Sequence, residues 1–378
     1  MTFLGVAGIA AMLWWGTGMA LLLASFAAAL LFPRLPWQGP GREPLRPVTA
    51  IVPVKYGNET FAEDQASLFA QDYPQLEILV TAAEMKSEAL DSIRQVRQRF
   101  PAVAAHVVHS GMRHAASPKL NNLWPAIGSA QHDLILTKDC NIRLAPGDLE
   151  NLVHHHGPGV GLVSTISVTT DPENFGAWIE TSIINCYHAR VLMLVSALGL
   201  GVGCGKIMLF SRDALERAGG LDALAWAVGE DEAMQQAFAG IGLRTVLSDR
   251  TSRQILGKRS LRTIWQRQLR WLLIWRLQTP GVFIGAFFVN ALAVAIAGAL
   301  AAPLTGISPL IALLGTLGLW FGLESLLCLI KGWPLSVWSL PAFLGREVLL
   351  LAVHVRALTT RTIEWGGSRL RVGARGAP

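Results

Sequence analysis

Two guanidinium groups three positions apart, followed at once by an indole, form the densest chemistry in the sequence: Arg267-Gln268-Leu269-Arg270-Trp271. On a helix, residues three apart are neighbours, so Arg267 and Arg270 can clamp the two phosphates of a diphosphate while Trp271 walls the pocket. The surrounding residues 250–276 hold eight Arg or Lys, no acid, and Trp265, Trp271 and Trp275. The same pattern also suits a basic amphipathic helix on a membrane surface, with Trp at headgroup level and Arg against anionic lipid. One helix can do both.

Carboxylates supply the second kind of chemistry. Asp139-Cys140-Asn141 follows an apolar run, and two oxygen donors two residues apart can hold a hard Mg²⁺ or Mn²⁺. Asp and Asn also dominate turns for their own backbone bonds, so a purely local role stays open. Gly229-Glu230-Asp231-Glu232 opens a helical pattern, where Asp231 can act as a helix cap or can take a proton from an attacking hydroxyl. In Ser117-Pro118-Lys119-Leu120-Asn121-Asn122-Leu123, Lys119 can neutralise a phosphate and Asn122 can fix its loop. Lys206 starts an apolar strand pattern after Gly205, an unusual place for a charge unless it faces a cleft. His154-His155-His156 does not read as a metal site, because consecutive helical residues point about 100° apart. These three sit at the surface or at a helix end. His188, alone in an apolar helical stretch, reads as structural when taken by itself.

These residues need a scaffold, and residues 48–250 alternate apolar runs with helical patterns. The spacing predicts strands over 48–54, 76–81, 106–109, 134–137, 161–168 and 206–210. It predicts helices over 60–71, 87–99, 120–130, 147–156, 174–195 and 230–239. Such alternation implies an α/β domain with a mostly parallel sheet and ligands at the carboxyl ends of its strands. No P-loop or GxGxxG follows the first strand, which argues against an ATPase or a dinucleotide dehydrogenase. The basic stretch becomes helical from Ser260, with Leu261, Ile264, Trp265, Leu269 and Leu272 on one face. Arg259, Arg262, Gln266 and Arg270 fall on another.

Hydrophobic residues make up 52% of the chain, charged ones 15%, and the mean hydropathy is positive, too apolar for a protein that lives wholly in water. Residues 3–32 carry no charge and make one transmembrane helix rather than a cleaved leader. Arg34, Arg42 and Arg46 follow in a Pro/Gly-rich linker over 33–47 and place the next domain in the cytoplasm. Two further spans are expected over 281–302 and 307–330. A third segment, 335–355, carries Arg346-Glu347, which together with Glu324 reads as an ion pair buried between helices. If all three segments cross, the basic tail over 357–378, with Arg361, Arg369, Arg371 and Arg375, ends outside, against the positive-inside rule. Either the third segment is re-entrant or interfacial, or the charge bias is overridden. The net charge of +6 is explained by this topology without a nucleic-acid partner, and four scattered cysteines suit a reducing compartment.

The order of the motifs carries more than any one of them. A span, Pro53-Val54-Lys55, Ser117–Leu123, Asp139-Cys140-Asn141-Ile142-Arg143, His188, Gly205-Lys206, Ala218-Gly219-Gly220-Leu221, Glu230-Asp231 and Arg267-x-x-Arg270-Trp271 follow one another. This resembles glycosyltransferase family 21, the ceramide glucosyltransferases and their bacterial relatives, hopanoid-associated enzymes included, over residues 1–280. The resemblance implies a GT-A nucleotide-sugar domain over 48–250, an interfacial helix over 251–279 and membrane segments over 280–356. It implies an integral protein of a bacterial inner membrane, with a UDP-sugar donor, a lipid acceptor and a divalent metal, Mg or Mn. Asp139, with Asn141, would then serve the metal, and Asp231 would be the general base. Lys55, Lys119, Asn122, Lys206, Arg267, Arg270 and Trp271 would bind the nucleotide sugar, and His188 would lie in the acceptor region. Two positions depart from the family pattern. Where the family usually has an aspartate at the end of the second strand, this sequence reads Val80-Thr81-Ala82-Ala83-Glu84, and the second metal carboxylate is Asn141.

Overall fold

The computed structural model describes residues 3–33, 45–111, 114–365 and 368–371. Arg34, Arg42 and most of the linker, and the end of the tail with Arg375, lie outside the described residues. The elements in chain order are α1 (Phe3–Leu31), β1 (Val48–Val54), α2 (Phe61–Phe69), β2 (Leu76–Ala82), α3 (Glu88–Arg99) and β3 (Ala104–His109). Then come α4 (Pro118–Ser129), β4 (Leu134–Lys138), α5 (Asp148–His155), β5 (Val160–Pro172) and α6 (Phe175–Thr181). A π-helical segment (Ser182–Ala189) leads into α7 (Arg190–Ala197), followed by β6 (Ile207–Ser211), α8 (Arg212–Arg217), α9 (Glu230–Gly240) and β7 (Arg244–Gly257). The rest is α10 (Leu261–Gln278), α11 (Pro280–Phe288), α12 (Ala291–Ala301), α13 (Pro309–Lys331), α14 (Ser339–Thr359), β8 (Thr362–Trp365) and β9 (Ser368–Arg371).

Seven strands form one sheet in the order β3-β2-β1-β4-β6-β5-β7. β1 pairs in parallel with β2 and β4, and β2 with β3. β6 enters antiparallel between β4 and β5, which makes the sheet mixed but mostly parallel over its first half. β1 is buried at every position because helices cover both of its faces, and its run VTAIVPV is apolar enough to allow that. Residues 251–257, grouped from sequence with the interfacial segment, instead continue the long strand β7. The helix starts at Leu261, as its spacing predicts, behind the Ser260 cap, whose Oγ accepts from the Thr263 amide at 3.1 Å.

The chain divides into two compact units. Among the described residues, one combines 33, 45–111, 114–168 and 195–255 and contains most of the sheet. The other combines 3–32, 169–194, 256–365 and 368–371, so the π-helical segment groups with the apolar helices.

In that second unit, α1 packs closely on α12 and α13. Gly18 faces the Val294 side chain and Gly298 faces Trp15, places where a Cβ would collide, as expected of small residues between membrane helices. Trp15 Nε1 donates to Thr316 Oγ1 at 3.0 Å. Two helices, Gly5–Leu31 and Pro309–Lys331, are long and apolar enough to cross a membrane, and α11 with α12 make a third if that pair, bent by 59°, is one span. α14, the expected third C-terminal segment, is long enough at 21 residues but is not apolar enough to join them. Its Arg346 is fully buried and pairs with Glu324 at 2.9 Å and Glu347 at 2.5 Å, as expected of charges at this depth. Arg190 joins them, 3.7 Å from Glu324, a partner that sequence reasoning passed over.

Candidate functional site

The β4 strand ends at Lys138, so Asp139 emerges at a carboxyl end of the parallel half of the sheet. Its amide donates to the Lys206 carbonyl at 2.9 Å, a tie that follows from the antiparallel pairing of Lys138 with Ile207. The DxN turn and the Gly205-Lys206 pair, with Asp139 and Lys206 67 residues apart in sequence, therefore meet by strand register.

Lys119 lies in the first turn of α4, whose start is capped by Ser117 accepting from the Leu120 amide. Its ammonium reaches Asp139 Oδ1 at 2.7 Å and Glu230 Oε1 at 3.1 Å and donates to the Gly205 carbonyl. Ser117 Oγ also donates to Glu230 Oε2 at 3.1 Å, which locks the start of α9 to the start of α4. Burial by itself would pull the Lys119 pKa down, but the Asp139 and Glu230 carboxylates outweigh it and the pKa ends up raised. Lys119 is a fixed cation.

Asp231 occupies the second position of α9 and is not its cap; that place belongs to Gly229. Its carboxylate accepts from the Gly205 amide at 2.8 Å and from the Glu232 amide at 3.0 Å. Burial and the neighbouring Glu230 push its pKa up to about 6, against the pull of Lys119 and the two amides. That is the range in which a carboxylate can both stay ionised near neutrality and accept a proton. Gly205 leaves room for this approach: a Cβ would stand 3.0 Å from Asp231 Oδ2 and 3.3 Å from Glu230 Oε1, so both carboxylates would have to give way by a few tenths of an ångström.

The other predicted residues of this unit have different partners. Lys206 Nζ donates to Gln254 Oε1 of β7 at 2.8 Å. Asn122 accepts from Ser110 Oγ, while its neighbour Asn121 does the loop fixing that the sequence assigned to Asn122: its Oδ1 accepts from the amides of His114 and Ala115 at 2.9 and 2.8 Å. Lys55 is exposed just beyond β1, with its ammonium 5.4 Å from the centre of the Tyr56 ring. Glu84, the one acid near the end of β2, is also exposed. In the histidine run, His156 is buried where α5 ends, and its Nδ1 lies 2.7 Å from the Arg46 guanidinium. Burial and that cation push its pKa down to about 4.

A divalent ion is implied by the DxN turn, and its fit can be judged from the donors. Asn141 Oδ1 is buried with no hydrogen-bond partner, and Asp139 supplies a carboxylate two residues before it. No group of three or more His, Cys, Asp or Glu among the described residues gathers around a common point. Two oxygen donors nevertheless suit Mg²⁺ or Mn²⁺ bound chiefly through substrate phosphates and water. The residues fit such an ion on those terms.

The Arg-rich motif is built in the other unit. Arg267 pairs with Glu180 of α6, a fully buried acid that also lies 3.3 Å from Arg259. Glu180 was missed from sequence because it sits in an otherwise apolar helical run with nothing to mark its partners. The α6 start is tied to the chain before α10 by Asn174, whose Oδ1 accepts from the amides of Ala177 at 2.9 Å and Arg259 at 3.0 Å. His188, on the π-helical turn, meets the rings of Trp271 and Trp275 edge-on at 5.2 and 5.7 Å between centroids. A π-helical turn inside a helix often marks a functional position.

A profile of glycosyl transferase family 21 matches residues 16–377. The chain belongs to glycosyltransferase family 21. Within it, the chain is similar to ceramide glucosyltransferase 3 of Caenorhabditis elegans, 24% identical over 338 residues, covering 84% of this chain and 71% of that protein. It is also similar to ceramide glucosyltransferase 1 of the same organism, 23% identical over 240 residues, covering 63% of this chain and 51% of the relative, about half its length. Among solved structures, the mannosyltransferase PcManGT from Pyrobaculum calidifontis, in complex with GDP-Man and Mn²⁺, superposes with a TM-score of 0.55. That likeness, at 23% identity, covers 92% of this chain and 99% of that one, and it shows the GT-A fold of this family 21 member.

Proposed function

We propose that this family 21 member is a membrane-embedded inverting transferase that moves glucose from UDP-glucose to the primary hydroxyl of ceramide, with its catalytic domain at the cytoplasmic face. The observation that carries this reading is the convergence of Asp231, Lys119, Asp139 and Gly205 at the carboxyl edge of the sheet. Asp231 takes the proton of the lipid hydroxyl as that oxygen attacks the anomeric carbon, and the bond to UDP breaks with its electron pair on the departing diphosphate. One displacement gives a β-glycoside and needs no covalent enzyme intermediate. Arg267, Arg270 and Trp271 grip the diphosphate, and Lys119, Lys206, Lys55 and Asn122 complete the donor site. Asp139 and Asn141 would hold a divalent cation, which when bound draws charge off the leaving group. His188 belongs to the acceptor region. The two ceramide glucosyltransferase relatives support the sugar and the lipid, and the metal-bound state of the mannosyltransferase supports the cation.

A second reading has one observation in its favour. The end of β2 lacks the aspartate that the family uses for the nucleotide, and Glu84 is exposed. A chain that binds nucleotide without turnover fits that departure. The deciding measurement is UDP release by purified protein in detergent with Mg²⁺ or Mn²⁺. UDP-glucose and other UDP-sugars are scanned against ceramide, diacylglycerol and hopanoid polyols, beside Asp231→Asn. Release that depends on ceramide and falls by about 10²–10⁴ in the variant supports the transferase reading. Dependence on a hopanoid polyol would reassign the acceptor. Nucleotide binding without release from any pair would replace the transferase reading by the second one.

A further inference from the structure

The buried face of α10 keeps Ile264 and Leu272 of its apolar stripe but also takes in a polar residue. The stripe Ile264, Gln268, Leu272 is buried, whereas Leu261 is 54% exposed. A carboxamide thus sits in the middle of an apolar seam, and its Nε2 is buried without a hydrogen-bond partner. Gln268 lines a narrow recess in the membrane-associated unit, with Leu272, Trp275, Phe287 and Leu350 as apolar walls.

The other polar groups of that recess are largely engaged. The Tyr187 hydroxyl donates to the Ala286 carbonyl at 2.8 Å, and His354 Nε2 bonds the Phe283 carbonyl at 3.0 Å. Asn290 donates to the Glu347 carbonyl at 3.2 Å and accepts from the Ala293 amide at 3.0 Å. His188 packs against Tyr187, Trp271 and Trp275. A buried N–H donor with no acceptor is costly, and one aimed into an apolar recess is matched by a ligand that brings its own oxygen on an apolar body. A lipid chain with a carbonyl near its head has that form.

We propose that the recess, with about 10 Å³ of space, admits one oxygen of the acceptor lipid, the amide or ester carbonyl next to the reacting headgroup, and that the Gln268 carboxamide donates to it. This deepens the transferase reading and rests on it. Gln268 selects acceptors by the presence of that carbonyl, while the rest of the lipid stays outside the recess. The hydrogen bond holds the headgroup at one depth.

The test compares acceptors and one variant on the full chain in detergent, with UDP-glucose saturating. The acceptors are a short-chain ceramide, its carbonyl-free secondary amine, a diacylglycerol and the matching dialkyl ether. The proteins are wild type and Gln268→Leu, and UDP-glucose affinity is measured separately by binding. The expected result is a rise of about tenfold in the acceptor KM for wild type when the carbonyl is removed. In Gln268→Leu the carbonyl acceptor weakens by a similar factor, the carbonyl-free one is unchanged, and UDP-glucose affinity stays as in wild type. A carbonyl preference on the ceramide pair alone assigns the amide, and one on the glycerolipid pair alone assigns the ester. Equal KM values for carbonyl and carbonyl-free acceptors in wild type overturn the proposal with no reference to the variant, so it stays testable even if Gln268→Leu does not fold. A carbonyl preference that survives in folded Gln268→Leu overturns the role of this residue alone. Absence of lipid-dependent UDP release from wild type removes the transferase reading, and this inference with it.

Discussion

A single lysine between carboxylates sets the acid-base behaviour of the site. Lys119 bridges Asp139 and Glu230 and lowers the Asp231 pKa, which burial and Glu230 nonetheless hold at about 6. As the proposed base, Asp231 must be ionised to accept a proton, so the kcat/KM of the proposed transfer is expected to fall as pH drops through about 6. In Lys119→Met the ammonium no longer favours the ionised form, and the acid limb should move to higher pH, by roughly one unit. A pH profile of UDP release checks this, and an acid limb unmoved or lowered in the variant contradicts the electrostatic role given to Lys119. The residue types at this centre were legible in sequence, because Lys, Asp and Gly-Glu-Asp at strand and helix ends are recognisable. Their ordering was not. Nothing local says that Lys119 contacts Asp139 and Glu230 together, since the contact depends on β6 entering antiparallel beside β4.

Among the elements, α14 shows how a charge survives in an apolar setting. Arg346 is held by Glu324 from α13 and Glu347 from its own helix and donates to the Ser182 carbonyl at 3.2 Å. Glu347 Oε2 in turn accepts from the Ala291 amide at 2.7 Å, at the start of α12 after the bend. Removing one partner leaves buried charge without compensation, so Arg346→Leu should destabilise this unit by about 3–5 kcal/mol. Arg346→Leu combined with Glu324→Gln and Glu347→Gln should recover part of that loss. Thermal unfolding in detergent compares the two, and equal midpoints for single and triple variants would show that the network is not electrostatically coupled. The pairing of Arg346 with Glu324 was visible from sequence as two costly charges in apolar segments. Arg190 and Glu180 were not, because both lie in one long helical run, and periodicity does not say which face meets another helix. The 14-residue strand β7 escaped for a related reason. Its RTVLSDRTSRQILG run is too polar to look like a strand, and it lies at the edge of the sheet beside β5, with a further bridge from Arg253 to Arg143.

For the whole molecule, apolar helices at both ends of the described chain imply attachment to a membrane at more than one place. The protein should remain in the membrane pellet after an alkaline carbonate wash, and a form lacking residues 1–32 should remain there too, because Pro309–Lys331 is itself long and apolar enough to cross. Recovery of the shortened form in the supernatant would show that α1 alone anchors the chain. Amino-acid order by itself determined the α/β class, the bounds of β1 over 48–54, the helix start at Ser260, the apolar segments and the family resemblance. These depend on local periodicity, capping and motif spacing, all of which are written in neighbouring residues. Tertiary structure alone decided that Asp231 is held by the Gly205 amide, that Arg267 is paired with a buried acid, and that Gln268 rather than Leu261 faces inward. Each of those outcomes turns on which elements pack together, and a side chain's burial and charge environment are set by partners that can lie more than 80 residues away, as Glu180 does from Arg267.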